Sequence, residues 1–176
     1  MKIRAAVGAF LAAAALTASG CTSSPEQQDA PMASSVTITD QWANASDEEM
    51  AAVFGTITND GQQDVRIVSG DSPLAGRVEV HEVVSDSAGT KTMRPKADGV
   101  VVPAGGTHDL VPGGDHLMLM DLKEPLQPGA DVALDVVFED GSTLPVTVQI
   151  RDFPGADEDY QPNSDTPADM PHHEHG

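Results

Sequence analysis

The chain has 176 residues, with 28 Asp plus Glu against 9 Lys plus Arg and a formal net charge of −19. That length suits one ordinary domain with extensions, and so acidic a balance argues against nucleic acid as a partner. A single cysteine excludes an intramolecular disulfide, and any metal site in the body of the chain has to use His, Met, Asp or Glu.

Lys2 and Arg4 open the chain, an apolar run follows from Ala5 to Ala18, and Ser19-Gly20-Cys21 closes it. A basic start, a short apolar stretch and a small-residue end are the pattern of a secretory signal peptide over 1–20. The run is too short for a membrane-spanning helix. "ASGC" resembles a bacterial lipobox, with Ala18 where leucine is usual. It implies that Cys21 is lipidated and holds the protein on the extracytoplasmic face of the cell membrane. Without residues 1–20 the chain carries 28 acidic against 7 basic residues, near −21. That charge favours solubility and draws cations or basic surfaces.

Residues 21–35 are rich in Ser, Gln, Pro and Ala and read as a flexible spacer. A domain is expected over 36–153. Turn signals punctuate it at Asn59-Asp60-Gly61, Gly70-Asp71-Ser72-Pro73, Pro103-Ala104-Gly105-Gly106, Pro112-Gly113-Gly114, Gln127-Pro128-Gly129 and Glu139-Asp140-Gly141. Between them "SVTITDQW", "AVFGTITN", "DVRIVS", "RVEVHEVV", "GVVVP", "HLMLMDL", "DVALDVVFE" and "LPVTVQIRD" read as strands. "ASDEEMAA" has room for one helical turn at most. Many short strands at this spacing predict an all-β sandwich or barrel. Residues 154–176 are proline-rich and acidic, lack Lys and Arg, and read as a disordered tail.

The chemistry-bearing residues gather in the centre. In "DHLMLMDL", Leu117 and Leu119 take one face of a strand, and His116, Met118 and Met120 take the other. In "VEVHEVV", His81 shares a face with Glu79 and Val83, opposite Val78, Val80 and Val84. The valines read as the core face, so His81 is expected to point outward or toward a rim. "KTMRP" carries Met93. Such a set is either core packing, in which methionine fills gaps, or a soft-metal site. His108 is expected to face solvent, Met120 to pack beneath the others, and Met32 and Met50 to be bystanders. Asp115, beside His116, is a weak candidate for orienting its ring.

Eleven residues separate His81 from Met93, and twenty-two separate Met93 from His116-Leu117-Met118. With "VPAGGTHDLVPGGDHLMLMDLKEPLQPG" and "DVVFEDG", this stretch resembles the periplasmic copper chaperones that serve the CuA centre of cytochrome c oxidase, the PCuAC-like family. Each gap is one residue longer than that family's spacing, and both extra residues fall in expected loops, where insertion is tolerated. The resemblance covers about residues 36–150. It implies a cupredoxin-like Greek-key β-sandwich and a Cu(I) site formed by His81, Met93, His116 and Met118. Cu(I) is soft and accepts thioether and imidazole, whereas Ca²⁺ and Mg²⁺ want oxygen. A blue-copper electron-transfer site needs a cysteine thiolate, and Cys21 lies outside the domain.

The tail ends in "MPHHEHG", where Met170, His172, His173 and His175 form a possible second site, suited to Cu(II). No Ser/His/Asp or Cys/His arrangement, phosphate loop or carboxylate pair points to an enzyme. The expectation is a monomeric, lipid-anchored copper chaperone whose partner is the CuA-bearing subunit of cytochrome c oxidase or another copper carrier. A copper-buffering or copper-resistance lipoprotein, and an exported interaction module without metal, are the alternatives.

Overall fold

In β9 (Asp131–Phe138), Val132, Leu134, Val136 and Phe138 are buried, while Asp131, Ala133 and Asp135 between them are exposed. The same period of two runs through most strands of the computed structural model, which describes residues 30–47, 49–153 and 159–160. In chain order the others are β1 (Val36–Asn44), β2 (Met50–Asn59), β3 (Val65–Asp71), β4 (Arg77–Ser85), β5 (Lys91–Pro95), β6 (Val100–Val102), β7 (Thr107–Leu110), β8 (His116–Met120), β10 (Thr143–Arg151) and β11 (Asp159–Tyr160). The expected signal peptide, Cys21 and the tail residues Met170, His172, His173 and His175 lie outside the described residues.

Strands β4, β8, β2, β1, β10, β9 and β3 are hydrogen-bonded in that order, and β3 returns to β4. The result is an all-β Greek-key sandwich closed on itself like a barrel, which leaves few open edges. Pairing within this ring is antiparallel except for β1 with β10. Its interior holds Val78, Val80, Leu117, Leu119, Ile57, Ile67, Phe138 and their neighbours. At about 25 cal/mol per Å² of apolar surface removed from water, this shared core is the main stabilising term.

Four segments depart from the sequence reading. Lys91–Pro95 and Thr107–Leu110 are strands, although "KTMRP" and "THDL" are short and lack an apolar alternation; pairing with β4 and β2 holds them. "ASDEEMAA" makes no helical turn at its end, because residues 50–52 already belong to β2. The end of the expected spacer is fixed as a short 3-10 turn, Met32–Ser35. There the Met32 amide donates to Asp140 Oδ2 at 2.8 Å and the Ala33 amide to Ser142 Oγ at 3.0 Å.

One irregularity in β1 matters for function. Its register against β2 shifts between Thr39 and Trp42, and Asp40 takes a left-handed φ of 53°. A bulge of this kind reverses which face later side chains use. Val36 and Ile38 point into the core, but beyond the bulge Ala43 does so, and Trp42 turns outward to meet Phe54. Gly55 faces the bulge; a Cβ there would meet Gln41 Cα and Thr39 O at 3.1 Å, at a φ of 155°.

Asn59, wholly buried at the end of β2, ties three loops together. Its Nδ2 donates to the carbonyls of Gln63 at 2.8 Å and Val102 at 3.1 Å, and its Oδ1 accepts from the Gly61 amide at 2.9 Å. At about 1 kcal/mol per net hydrogen bond, with more where a buried partner is left unmatched, Asn59→Ala is expected to cost about 3 kcal/mol. Urea unfolding would measure it; a loss below about 1 kcal/mol would contradict the role assigned to this side chain.

Candidate metal centre

The strand order β5–β4–β8–β2–β1 makes one wall of the sandwich, and its outer face carries a second apolar cluster. Cross-strand register sets the residues on it. His81 stands directly opposite His116, Glu79 opposite Met118, and Val83 opposite Met93. On the other side of β8, Ala52 stands opposite Met118 and Met50 opposite Met120. Residues directly opposite share a face, with Cβ atoms about 4.5–5.5 Å apart. This wall therefore collects His81, Met93, His116 and Met118 from three strands, as the sequence motifs required.

His81 faces away from the valine core, as expected, but it is not at a rim. It is 0% exposed, and His116 is 2% exposed. The two rings lie 5.8 Å apart, centroid to centroid, at 64°. The exposure expected for His81 fails because this face carries a second apolar cluster, built on Met93, Met118 and Met120 with Met50, Ala52 and Val83 packed against it. An aromatic wall closes the far side. Trp42 lies 4.7 Å from Phe54 and 5.3 Å from Phe153, and Phe54 lies 6.0 Å from the His116 ring. A cleft of about 110 Å³ opens among Ala52, Phe54, Met93, His116, Met118 and Phe153.

Hydrogen bonds decide which nitrogens face the cleft. The Gly114 carbonyl can only accept, so at 3.0 Å it takes the Nδ1–H of His116. In the neutral ring Nε2 then keeps its lone pair. That nitrogen lies 3.0 Å from Met93 Sδ. Two donor atoms with lone pairs are thus held together in a largely buried pocket. His81 is oriented differently: its Nε2–H donates to Glu79 Oε2 at 2.8 Å. Glu79 in turn accepts from Arg77 Nε at 2.8 Å, and Arg77 also pairs with Asp121. A carboxylate behind an imidazole fixes its tautomer and raises its basicity as a ligand.

Both rings are held neutral. Burial pushes His81 below the usual imidazole range, against the upward pull of the Glu79 hydrogen bond and charge. Burial does the same to His116, aided by His81, while the Gly114 carbonyl opposes it. Burial alone would raise Glu79, but hydrogen bonds from His81 and Arg77 outweigh it and keep the carboxylate below its ordinary value.

Asp115 does not orient His116. Its carboxylate accepts from Lys96 Nζ at 2.8 Å and lies 3.0 Å from His108 Nε2. Adjacent strand residues point to opposite faces, which accounts for the separation. His108 is accordingly half-buried against Asp115 rather than turned to solvent. Among the described residues no three His, Cys, Asp or Glu side chains converge as a metal-holding group. A metal in this cleft would have to use methionine, which selects a soft ion.

The family model described as "LpqE-like: Putative lipoprotein LpqE-like" matches residues 36–150. The chain belongs to the LpqE-like family. This LpqE-like chain is 38% identical over 135 residues to "Putative lipoprotein Lxx21020" of Leifsonia xyli subsp. xyli (strain CTCB07), covering 77% of the chain and 81% of that protein. Its fold is similar to that of the apo PCuAC domain from PmoF1, with a TM-score of 0.57 at 21% identity over 68% of this chain and 95% of that one. The copper-bound PCuAC domain from PmoF2 gives a TM-score of 0.56 at 19% identity, over 68% and 94%. The solution structure of CuI-DR1885 from Deinococcus radiodurans gives 0.50 at 30% identity, over 67% and 80%. The PCuAC-like resemblance and the cupredoxin-like sandwich expected from it both hold for this LpqE-like protein.

Proposed function

We propose that this LpqE-like protein is an extracytoplasmic copper chaperone. Its β-sandwich over residues 36–153 holds one Cu(I) through His81, Met93, His116 and Met118. The observation that carries the reading is the 3.0 Å approach of His116 Nε2 to Met93 Sδ in a buried cleft. Solved relatives described as copper-bound and CuI-bound support the choice of ion. With no thiolate in the set, the ion is held less tightly than in a cysteine site, which suits a carrier. Release proceeds by ligand exchange, acceptor groups replacing the thioethers one at a time. The acceptor is the CuA site of cytochrome c oxidase or another copper carrier. Lipidated Cys21 and the 21–35 spacer keep the domain at the membrane surface where such an acceptor stands.

The tail, 154–176, gathers Cu(II) at Met170, His172, His173 and His175 in this reading. Its beginning, β11, pairs with Thr92 and Met93 on β5. A segment tethered beside the site has a high effective concentration there.

Anaerobic titration with Cu(I), followed by X-ray absorption, tests the centre. One equivalent with sulfur neighbours is expected; a spectrum with nitrogen and oxygen neighbours alone rejects the ligand set. Deleting the gene tests delivery: oxidase activity should fall under copper scarcity. Intact oxidase activity with raised copper sensitivity would make the protein a buffer instead.

A further inference from the structure

The methionines are segregated. The main core contains Val, Ile, Leu, Ala and Phe, and no buried methionine. Among the described residues the three buried methionines, Met93, Met118 and Met120, lie on the opposite face of the wall, and half-buried Met50 joins them. Of the described methionines only Met32 lies elsewhere. Gap-filling would spread methionine through the irregular interior; here it is confined to the face that carries the two buried histidines.

Their register is a ladder. Met118 sits next to the His81–His116 row, with Ala52 beside it. One step further along β8, Met120 stands directly opposite Met50. Steps along one face of a strand are about 6.6–6.8 Å, and Met50 and Met120 belong to a pair with Cβ atoms about 4.5–5.5 Å apart. Two thioether arms at that spacing can close on one ion, with Met118 in reach from the next row. Arg77 stands on the other side of Met120. Its guanidinium is turned to Glu79 and Asp121, whose carboxylates offset its charge. Met50 is the half-buried member of the set, and Met118 and Met120 are buried.

We propose that Met50 and Met120, with Met118 shared, form a second soft-metal station that takes Cu(I) or Ag(I) through thioether sulfur alone. It rests on the reading of the His/Met centre as the primary Cu(I) site. The station is weaker than that centre because it lacks imidazole. It gives the ion a second stop one row from the histidines, so that ligands exchange one at a time through the shared Met118.

The test uses residues 21–176, with the Cys21 thiol alkylated and the methionine methyls ¹³C-labelled. Ag(I) is the probe, a soft ion with no redox chemistry under these conditions. The first equivalent is expected to shift the Met93 and Met118 methyls, and the second to shift Met50 and Met120. In the variant M50L/M120L, the first equivalent should bind within about twofold of the wild-type affinity, since leucine conserves volume, and the second should be lost from the domain. The station is overturned if the Met50 and Met120 methyls stay still through three equivalents, if only Met170 responds to the second, or if the double variant takes up the second equivalent unchanged. A first equivalent that leaves Met93 and Met118 unmoved sinks the primary centre instead, and the wild-type spectra separate the two failures.

Discussion

Replacing Met93 and Met118 together by leucine is expected to lower Cu(I) affinity by at least about a thousandfold. Disturbing a group behind a metal ligand costs about 10–100-fold, and here two ligands themselves are removed. Leucine matters as the replacement. Both side chains are buried in the second apolar cluster, and truncation to alanine would leave a cavity costing about 2–5 kcal/mol. Leucine conserves volume, so each change should cost less than about 1.5 kcal/mol of stability. The variant then isolates the donor atoms from the packing. A competition titration against a Cu(I) chelator reads the affinity, and urea unfolding of the apo protein reads the fold. An affinity within tenfold of wild type would mean that the thioethers only fill space. The result also separates donors from the aromatic wall of Trp42, Phe54 and Phe153, which the substitutions leave in place.

Much of this centre was legible in the sequence, because strand chemistry has a period of two. The alternation in "HLMLM" separated Leu117 and Leu119 from His116, Met118 and Met120, and the structure keeps that separation. "VEVHEVV" likewise assigned His81 to the face opposite Val78 and Val80. What parity does not show is what lies on top of a face. His81 is buried because Met93 arrives on β5, and β5 is held by cross-strand pairing that "KTMRP" does not advertise. Trp42 reaches the site only through the bulge at Asp40, whereas Phe54 follows the ordinary alternation of β2 with Met50 and Ala52. A one-residue register shift is a tertiary fact, and the run "SVTITDQW" reads as a regular strand without it. Met50 had no neighbours in the sequence, and only the β2–β8 register sets it opposite Met120. Glu79 could have been found: it is two residues before His81, hence on the same face, and a carboxylate there is a natural partner for an imidazole.

Acid is expected to destabilise the apo protein and to weaken its hold on Cu(I), both through His81 and His116. His81 faces Glu79 and Arg77 on its own strand and His116 across the sheet. His116 faces His81, while neighbouring Asp115 is turned to Lys96 and His108. Burial lowers both imidazoles below the reference value of 6.5. The unfolded chain therefore takes up two protons near pH 6.5 that the folded chain refuses. The stability these neutral rings contribute is present in full above about pH 6.5. It is lost as pH falls from there through the lowered folded values. The slope is about 1.4 kcal/mol per pH unit for each proton bound only by the unfolded state, so two histidines approach about 2.7. Glu79 adds a loss at lower pH, because its folded value also lies below its ordinary 4.5. Cu(I) competes with the same protons, since imidazole must be neutral to bind. Affinity should hold steady through pH 6.5 and decline only at more acidic pH, where the folded rings charge. Urea midpoints of the apo protein at pH 7.5, 6.0 and 5.0 check the first part, and chelator competition at the same pH values checks the second. The variant H81Q/H116Q should flatten the stability profile between pH 6.5 and 5. A wild-type midpoint that stays level or rises over that range would mean that the folded rings protonate as freely as in the unfolded chain. The buried, neutral pair proposed as part of the Cu(I) ligand set would then be untenable.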